Sequence, residues 1–337
     1  MLDYIARRLL LAVFTTWIIT ILAFVIIQLP EGDAATKLID RMMGNSVASA
    51  FRPEMAAELS HYMGLDKPMH VRYARWMWNM AHGDFGRSFE IWGDVDQSEK
   101  PVKEVVGDRI WTTVALTGFT VIFTWTFAIP IGIYSAVRQH SVGDYVFTFL
   151  GFSGLAVPDF LLGLVLMYLA FAYLDMSVGG LFSADFQEAP WDVDKMWDLF
   201  KHLWIPAIVL GTSGTAGLIR VMRNNLLDEL GKPYVVTARA KGVSPVRLVL
   251  KYPVRVAINP LVSTVGYLLP ALVSGSVIVS VVLSLPTLGP VLLEAILVQD
   301  VQLAGFIVLM LGGLTILGTL LSDILLAVVD PRIRLIK

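Results

Sequence analysis

From Leu9 to Leu29 the chain runs 21 residues without a charge, and such runs recur along its length. A hydrocarbon layer ~30 Å thick is crossed by about 20 apolar helical residues, because backbone N–H and C=O groups must pair inside the segment. Ile110–Val137 is uncharged, Tyr145–Leu174 is interrupted only by Asp159, and Leu203–Ile219 is short and glycine-rich. Val301–Val329 carries one acid, Asp323. Val256–Leu293 holds 38 uncharged residues, too many for one straight crossing, and PTLGP at 286–290 divides it into a span and a short apolar loop. The pattern predicts an all-α integral membrane protein with six transmembrane helices. Only 16% of residues are charged, against ~25% in soluble domains.

Arg7 and Arg8 precede the first run, as in a signal peptide, but the run exceeds the usual apolar core of 7–15 residues and no small-x-small cleavage site follows. It reads as a retained span. There is no cysteine, which excludes disulfides, thiolate metal sites and cysteine nucleophiles.

Cations in short connections orient the spans. One side collects Arg7, Arg8, Arg138, eight Lys and Arg between 220 and 255, and Arg332, Arg334 and Lys337, against five acids. The other side holds Lys195 and Lys201 against eight acids, among them Asp185, Asp192, Asp194 and Asp198. Both termini are therefore expected in the cytoplasm of a cell-membrane protein. The expected organisation is 1–29 (N-terminus and first span), 30–109 (an external, partly helical cap) and 110–337 (a five-helix core with a cytoplasmic loop at 220–258). Trp76, Trp78, Trp92 and Trp111 suit either an interfacial belt or the packing of the cap.

That loop is dense in cations. Pro233 suits the first turn of a helix that ends at Gly242, a natural residue for the left-handed stop. Ser244 and Pro245 read as the N-cap and first residue of a second short helix ending near Pro253, with Val246, Val249, Leu250 and Tyr252 alternating with Arg247 and Lys251. Two or three charges would suffice to orient a loop. Eight on a structured element suggest a docking surface for a soluble partner, with a helix lying on anionic lipid as the competing reading.

The stretch YVVTARAKG (234–242), with Pro260 eighteen residues beyond Gly242, resembles the coupling motif of ABC-importer permeases of the dipeptide/oligopeptide (and nickel) family. YIARRLLL at 4–11, GDFGRSF at 83–89, LEAIL at 293–297 and DPRIR at 330–334 resemble the same family, so the likeness spans nearly the whole chain and points to the N-terminal-type permease of a heterodimeric pair. It implies the type I importer fold. It also implies a second homologous permease, two cytoplasmic ATPase subunits that bind ATP and Mg, and an external solute-binding protein that delivers peptides. By that resemblance Thr237, Ala238, Arg239 and Gly242 form the core of the coupling motif. Val243, Ser244, Pro245, Arg247 and Leu248 belong to the helix, Val243–Tyr252, that enters a groove on the ATPase. The general motif often has Glu six residues before the glycine; here Val236 stands there, so no salt bridge to the ATPase is implied at that position. Similar permeases carry nickel chelates, opines or oligosaccharides, and import as the direction of transport rests on the resemblance.

Asp159, after Pro158, is the most notable single residue. A carboxylate at membrane depth is costly and faces a cavity or a partner by default. It is expected to line the passage and attract a cationic group such as a peptide amino terminus, or else to lie near the span's end or to pair with a cation on the partner permease. Ser274 and Gly275, with Pro270, fit a flexible pathway-lining helix. GTSGTAG at 211–217 suits close helix packing, and Asp323 a structural place near the end of the last span.

Enzyme readings fail on chemistry. GFSG (151–154) and GTSG (211–214) look like nucleophile turns but need a histidine base, and His61, His70, His82, His140 and His202 fall in or beside loops. No HExxH and no GxxxxGK[ST] occurs, so neither a zinc protease nor a self-powered ATPase is expected. No cofactor is expected in the chain itself, and among its partners membrane lipid but no nucleic acid. A secondary transporter or channel is the rival class; it calls for paired intramembrane ionisable residues and inverted repeats, and only Asp159 and Asp323 are present.

Overall fold

In the computed structural model, which describes residues 2–29, 34–43, 52–88, 100–174, 176, 179–187, 189–190, 192–264 and 277–329, the apolar runs are helical. Helices α1 (Leu2–Ile27), α2 (Ala34–Met43), α3 (Arg52–Tyr62) and α4 (Met69–Ala81) come first. A two-residue ladder of β1 (Arg87–Ser88) and β2 (Lys100–Pro101) follows, antiparallel, pairing Arg87 with Pro101 and Ser88 with Lys100. Next come α5 (Val102–Val137), α6 (Val142–Ala156), α7 (Asp159–Leu174) and α8 (Val193–Leu230). The basic loop supplies α9 (Pro233–Ala240), α10 (Pro245–Lys251) and α11 (Pro253–Ala257), and the chain closes with α12 (Val277–Val282), α13 (Leu288–Leu297) and α14 (Val301–Val329).

Three described helices are long and apolar enough to cross a membrane, Val102–Val137, Val193–Leu230 and Val301–Leu326. The pair α6 and α7 makes a fourth candidate, bent by 104°, and α1 contributes the shorter apolar stretch Val13–Ile27. Of the expected fifth span, 265–276 lies outside the described residues, and with it Pro270, Ser274 and Gly275.

Two expected spans take a different form. Tyr145–Leu174 is two helices, not one, because Pro158 offers no N–H and pushes Val157 into extended backbone (φ −83°, ψ 126°). Leu203–Ile219 is the middle of a 38-residue helix. That helix starts where the Asp192 carboxylate accepts from the Lys195 N–H at 2.8 Å. It stops at Gly231, so 220–230, expected in the loop, continue the helix.

The chain divides into two compact units. The first comprises Met1–Trp111 with Thr287–Leu314. Its core joins Phe24 of α1 to Trp76 and Met80 of α4, with Phe85, Val301 and Phe306 packed around them. The Tyr73 ring meets Phe24 edge-on at 5.4 Å and its hydroxyl lies 2.9 Å from Thr20 Oγ1. Gly305 lets this happen: a Cβ there would sit 2.5 Å from the Trp76 ring. Asp300 ties the ladder to α14, accepting from Ser88 Oγ at 2.7 Å and from the Leu303 N–H at 3.0 Å. Trp76 therefore packs the core of the first unit, whereas Trp78 and Trp111 are exposed; Trp92 lies outside the described residues.

The second unit comprises Thr112–Pro286 with Thr315–Lys337. Helix α8 is its axis, buried along one side by Leu199, Leu203, Ile205 and Val209 and farther on by Leu218, Met222 and Leu226. Of the glycines at 211–217, Gly211 admits a close neighbour, since a Cβ there would meet the Phe123 ring at 2.9 Å; one on Gly214 would make an ordinary contact with Thr124 at 3.7 Å, and one on Gly217 would meet none of the described residues within 4 Å. On α6, one on Gly154 would meet Thr212 Cγ2 at 2.5 Å. Both GFSG and GTSG are thus interior helix turns with no nucleophile elbow. His202, expected beside a loop, is buried inside α8 with Nδ1 against the Asp198 carbonyl at 2.8 Å.

Candidate functional site

The basic loop folds into a knot of two short helices. Pro233 opens α9 with its ring already at helical φ, and Lys241 closes it. Gly242 then turns the chain at φ 78°, a left-handed conformation that a β-branched side chain resists. Its N–H reaches the Arg239 carbonyl at 3.0 Å, and the Val243 N–H reaches Ala238 at 3.4 Å. Pro245 opens α10. Ser244 stands at the N-cap as expected, but its hydroxyl makes no capping bond.

Val235, Ala238 and Leu248 are buried against one another, with Val243 and Tyr252 closing the sides. Of the residues singled out for coupling, Ala238 and Leu248 are thus the core of the knot. Thr237 is exposed, its hydroxyl donating back to the Pro233 carbonyl at 2.9 Å. Arg239, Gly242, Ser244, Pro245 and Arg247 are exposed and Val243 is half-buried. The apolar stripe differs from the one expected: Leu248 and Tyr252 face inward, while Val246 (71% exposed) and Leu250 (55%) project outward. Tyr234 and Val236 are exposed as well, as are the cations Arg239, Lys241 and Arg247. Such a surface can dock on an apolar groove with an acidic margin; it holds no titratable constellation for catalysis.

The knot hangs from α8, and one further contact fastens that helix. Asp144, in the first turn of α6 and 2% exposed, accepts from Arg223 Nε at 3.1 Å and Nη2 at 3.0 Å, a two-pronged ion pair. The same carboxylate accepts from the His140 N–H at 3.0 Å, while Ser141 Oγ accepts from the Asp144 N–H at 3.2 Å. Ser followed three residues later by an acid is the sequence signature of a capping box, though here the carboxylate takes the N–H one residue before the cap. The partner Arg223 left no such trace.

Asp159 is the first residue of α7, half-buried at the 104° bend and without a hydrogen-bond partner among the described residues. The N–H groups of Leu161 and Leu162 turn back to the Pro158 carbonyl at 2.9 and 3.1 Å. A carboxylate there also meets the positive end of a helix dipole, which stabilises it whether or not it lines a passage. Asp323 is half-buried; beside it, Ser322 Oγ donates to the Val262 carbonyl at 2.9 Å. Among the described residues no group of three or more His, Asp or Glu side chains could hold a metal ion.

Long apolar helices, a bent helix pair and a packed basic knot describe a multi-pass membrane component. The family comparisons agree. Residues 128–335 match the binding-protein-dependent transport system inner membrane component, and residues 1–117 its N-terminal companion model. The chain belongs to this family of transport permeases. It is 34% identical to the oligopeptide transport system permease protein AppB of Bacillus subtilis (strain 168), over 99% of this chain and all of that protein. It is 33% identical to the dipeptide transport system permease protein DppB of Escherichia coli (strain K12), over 99% of both. The glutathione transport system permease protein GsiC of Salmonella paratyphi A is 31% identical, also over 99% of both chains. In structure, the methionine ABC transporter MetNI in an inward-facing form matches 69% of this chain and all of its own with TM-score 0.50 at 17% identity, a likeness of fold.

Proposed function

We propose that the chain is the permease subunit that forms half of the translocation pathway of an ATP-driven peptide importer. Its partners are a second, similar permease, two cytoplasmic ATPases that hold ATP and Mg, and an external binding protein that delivers the peptide. The observation that carries the reading is the α9–α10 knot, whose outward apolar residues Val246 and Leu250 and surrounding cations are presented at the end of the membrane-length helix α8. A loop that only set orientation would need charges but no packed core of Val235, Ala238 and Leu248. The relatives' names, which specify oligopeptides, dipeptides and glutathione, support a peptide substrate. Fourteen cations against five acids on one side of the spans, some of them in the last turns of α8, support cytoplasmic termini and an external 30–109 segment.

The deciding experiment is a gentle-detergent pull-down of the chain from its native membrane, read by mass spectrometry. A second permease and one or two nucleotide-binding-motif ATPases are expected in stoichiometric amount. Recovery of the chain alone, or with itself only, overturns the reading and leaves a secondary transporter in its place.

A further inference from the structure

A recess of about 100 Å³ lies within the first unit, between α4, α1 and the start of α14. Lys67, Arg72, Arg75 and Asn79 line it above an aromatic floor of Phe24 and Trp76. Positions 72, 75 and 79 follow the three- and four-residue spacing of one helix face, so α4 aims both guanidinium groups and an amide the same way. Lys67 enters from the turn before α4, where Gly64 sits at φ 68° and a Cβ would lie 3.5 Å from Arg75 Nη1.

Among the described residues no carboxylate lines the recess. The acids nearest in sequence are engaged elsewhere: Asp66 meets His61 Nδ1 at 3.0 Å, and Asp300 accepts from Ser88 and Leu303. Lys67 and Arg75 have no ion-pair partner among the described residues. Two buried polar atoms of the lining, Trp76 Nε1 and Gln302 Oε1, likewise lack a partner among the described residues. A concave surface in which Lys67 and Arg75 face no acid among the described residues concentrates positive potential and is completed by an oxyanion.

Size and depth say which oxyanion. A cavity of ~150 Å³ just holds benzene, so this recess admits one compact charged group and not a dipeptide. Phe24 lies near the end of the apolar stretch Val13–Ile27, and Val301 and Gln302 begin the apolar run Val301–Leu326. The recess is thus at the level where one apolar run ends and another begins, the depth of headgroups. On the same elements Leu22, Ile26 and Trp78 are exposed, as acyl chains and an interfacial indole require. We infer that this recess binds the phosphate of a phospholipid headgroup, with the acyl chains lying along the exposed side of α1. The inference is independent of the importer reading and needs only that α1 and α14 enter a bilayer.

The test uses the full transporter, delipidated in detergent, with native mass spectrometry counting bound lipid against phosphatidylglycerol concentration. Wild type is expected to retain one phosphatidylglycerol per chain that diacylglycerol of the same acyl chains does not displace. The exposed pair Lys67→Gln/Arg75→Gln is expected to weaken that binding about tenfold while leaving the melting temperature of the lipid-free protein unchanged. Unchanged affinity in the double variant overturns the site, and equal binding of diacylglycerol overturns recognition of phosphate. Displacement of the lipid by millimolar inorganic phosphate overturns the lipid as its source, leaving a free-anion site. None of these outcomes bears on whether ATPases co-purify, so the two readings fail separately.

Discussion

At Gly242 the backbone needs φ 78°, yet the space a Cβ would take is open. The demand within this chain is therefore conformational and not steric. Asparagine tolerates the left-handed region, whereas valine is forced out of it at about 1–3 kcal/mol. Gly242→Val is expected to lose transport-coupled ATP hydrolysis in reconstituted vesicles, and Gly242→Asn to keep most of it. Loss in both variants would mean that a partner approaches the Cα closely. The need for glycine was readable from its place after a short helix. That Ala238 and Leu248 would be core and their neighbours surface was not, because helices of eight and seven residues are too short for their apolar period to declare an inner face.

Helix α10 divides its apolar residues between two duties, and substitution separates them. Leu248→Ala removes a side chain only 3% exposed from the knot and is expected to lower stability by about 2–4 kcal/mol in a thermal or denaturant melt. Val246→Asp changes a residue 71% exposed, so stability stays within about 0.5 kcal/mol while ATPase co-purification is lost. Equal ATPase recovery from that variant would sink the docking surface. Helix α8 is held to α6 by the Asp144–Arg223 pair, whose carboxylate is withdrawn from water. Arg223→Ala leaves that carboxylate buried without its countercharge, held by the His140 N–H, and is expected to cost about 3 kcal/mol in the same melt; a loss below about 1 kcal/mol would show that water screens the pair. The bend after α6 was half legible: Pro158 marks the break, but nothing local distinguishes a kinked span from two helices 104° apart.

For the whole transporter, the charge at the bend is a question of cargo. Asp159→Asn is expected to reduce uptake of peptides with a free amino terminus more than of N-blocked ones, measured side by side in vesicles. Equal uptake of both by the variant assigns the acid to the start of α7 alone. The chain's own pattern determined a great deal here. Uncharged runs of bilayer length require helices that pair their own backbone, cations cluster in the connections on one side, and proline and glycine mark where helices begin and stop. These are local or periodic properties, and they set the class of protein, its element order and the place of the basic loop. Other features arise only from packing. The ion pair joins residues 79 apart, the recess gathers α1, α4 and α14, and Leu248 turns inward because Val235 and Ala238 wait there. No period in the chain encodes these meetings, since each depends on the free energy of bringing distant surfaces together, which only the tertiary structure decides.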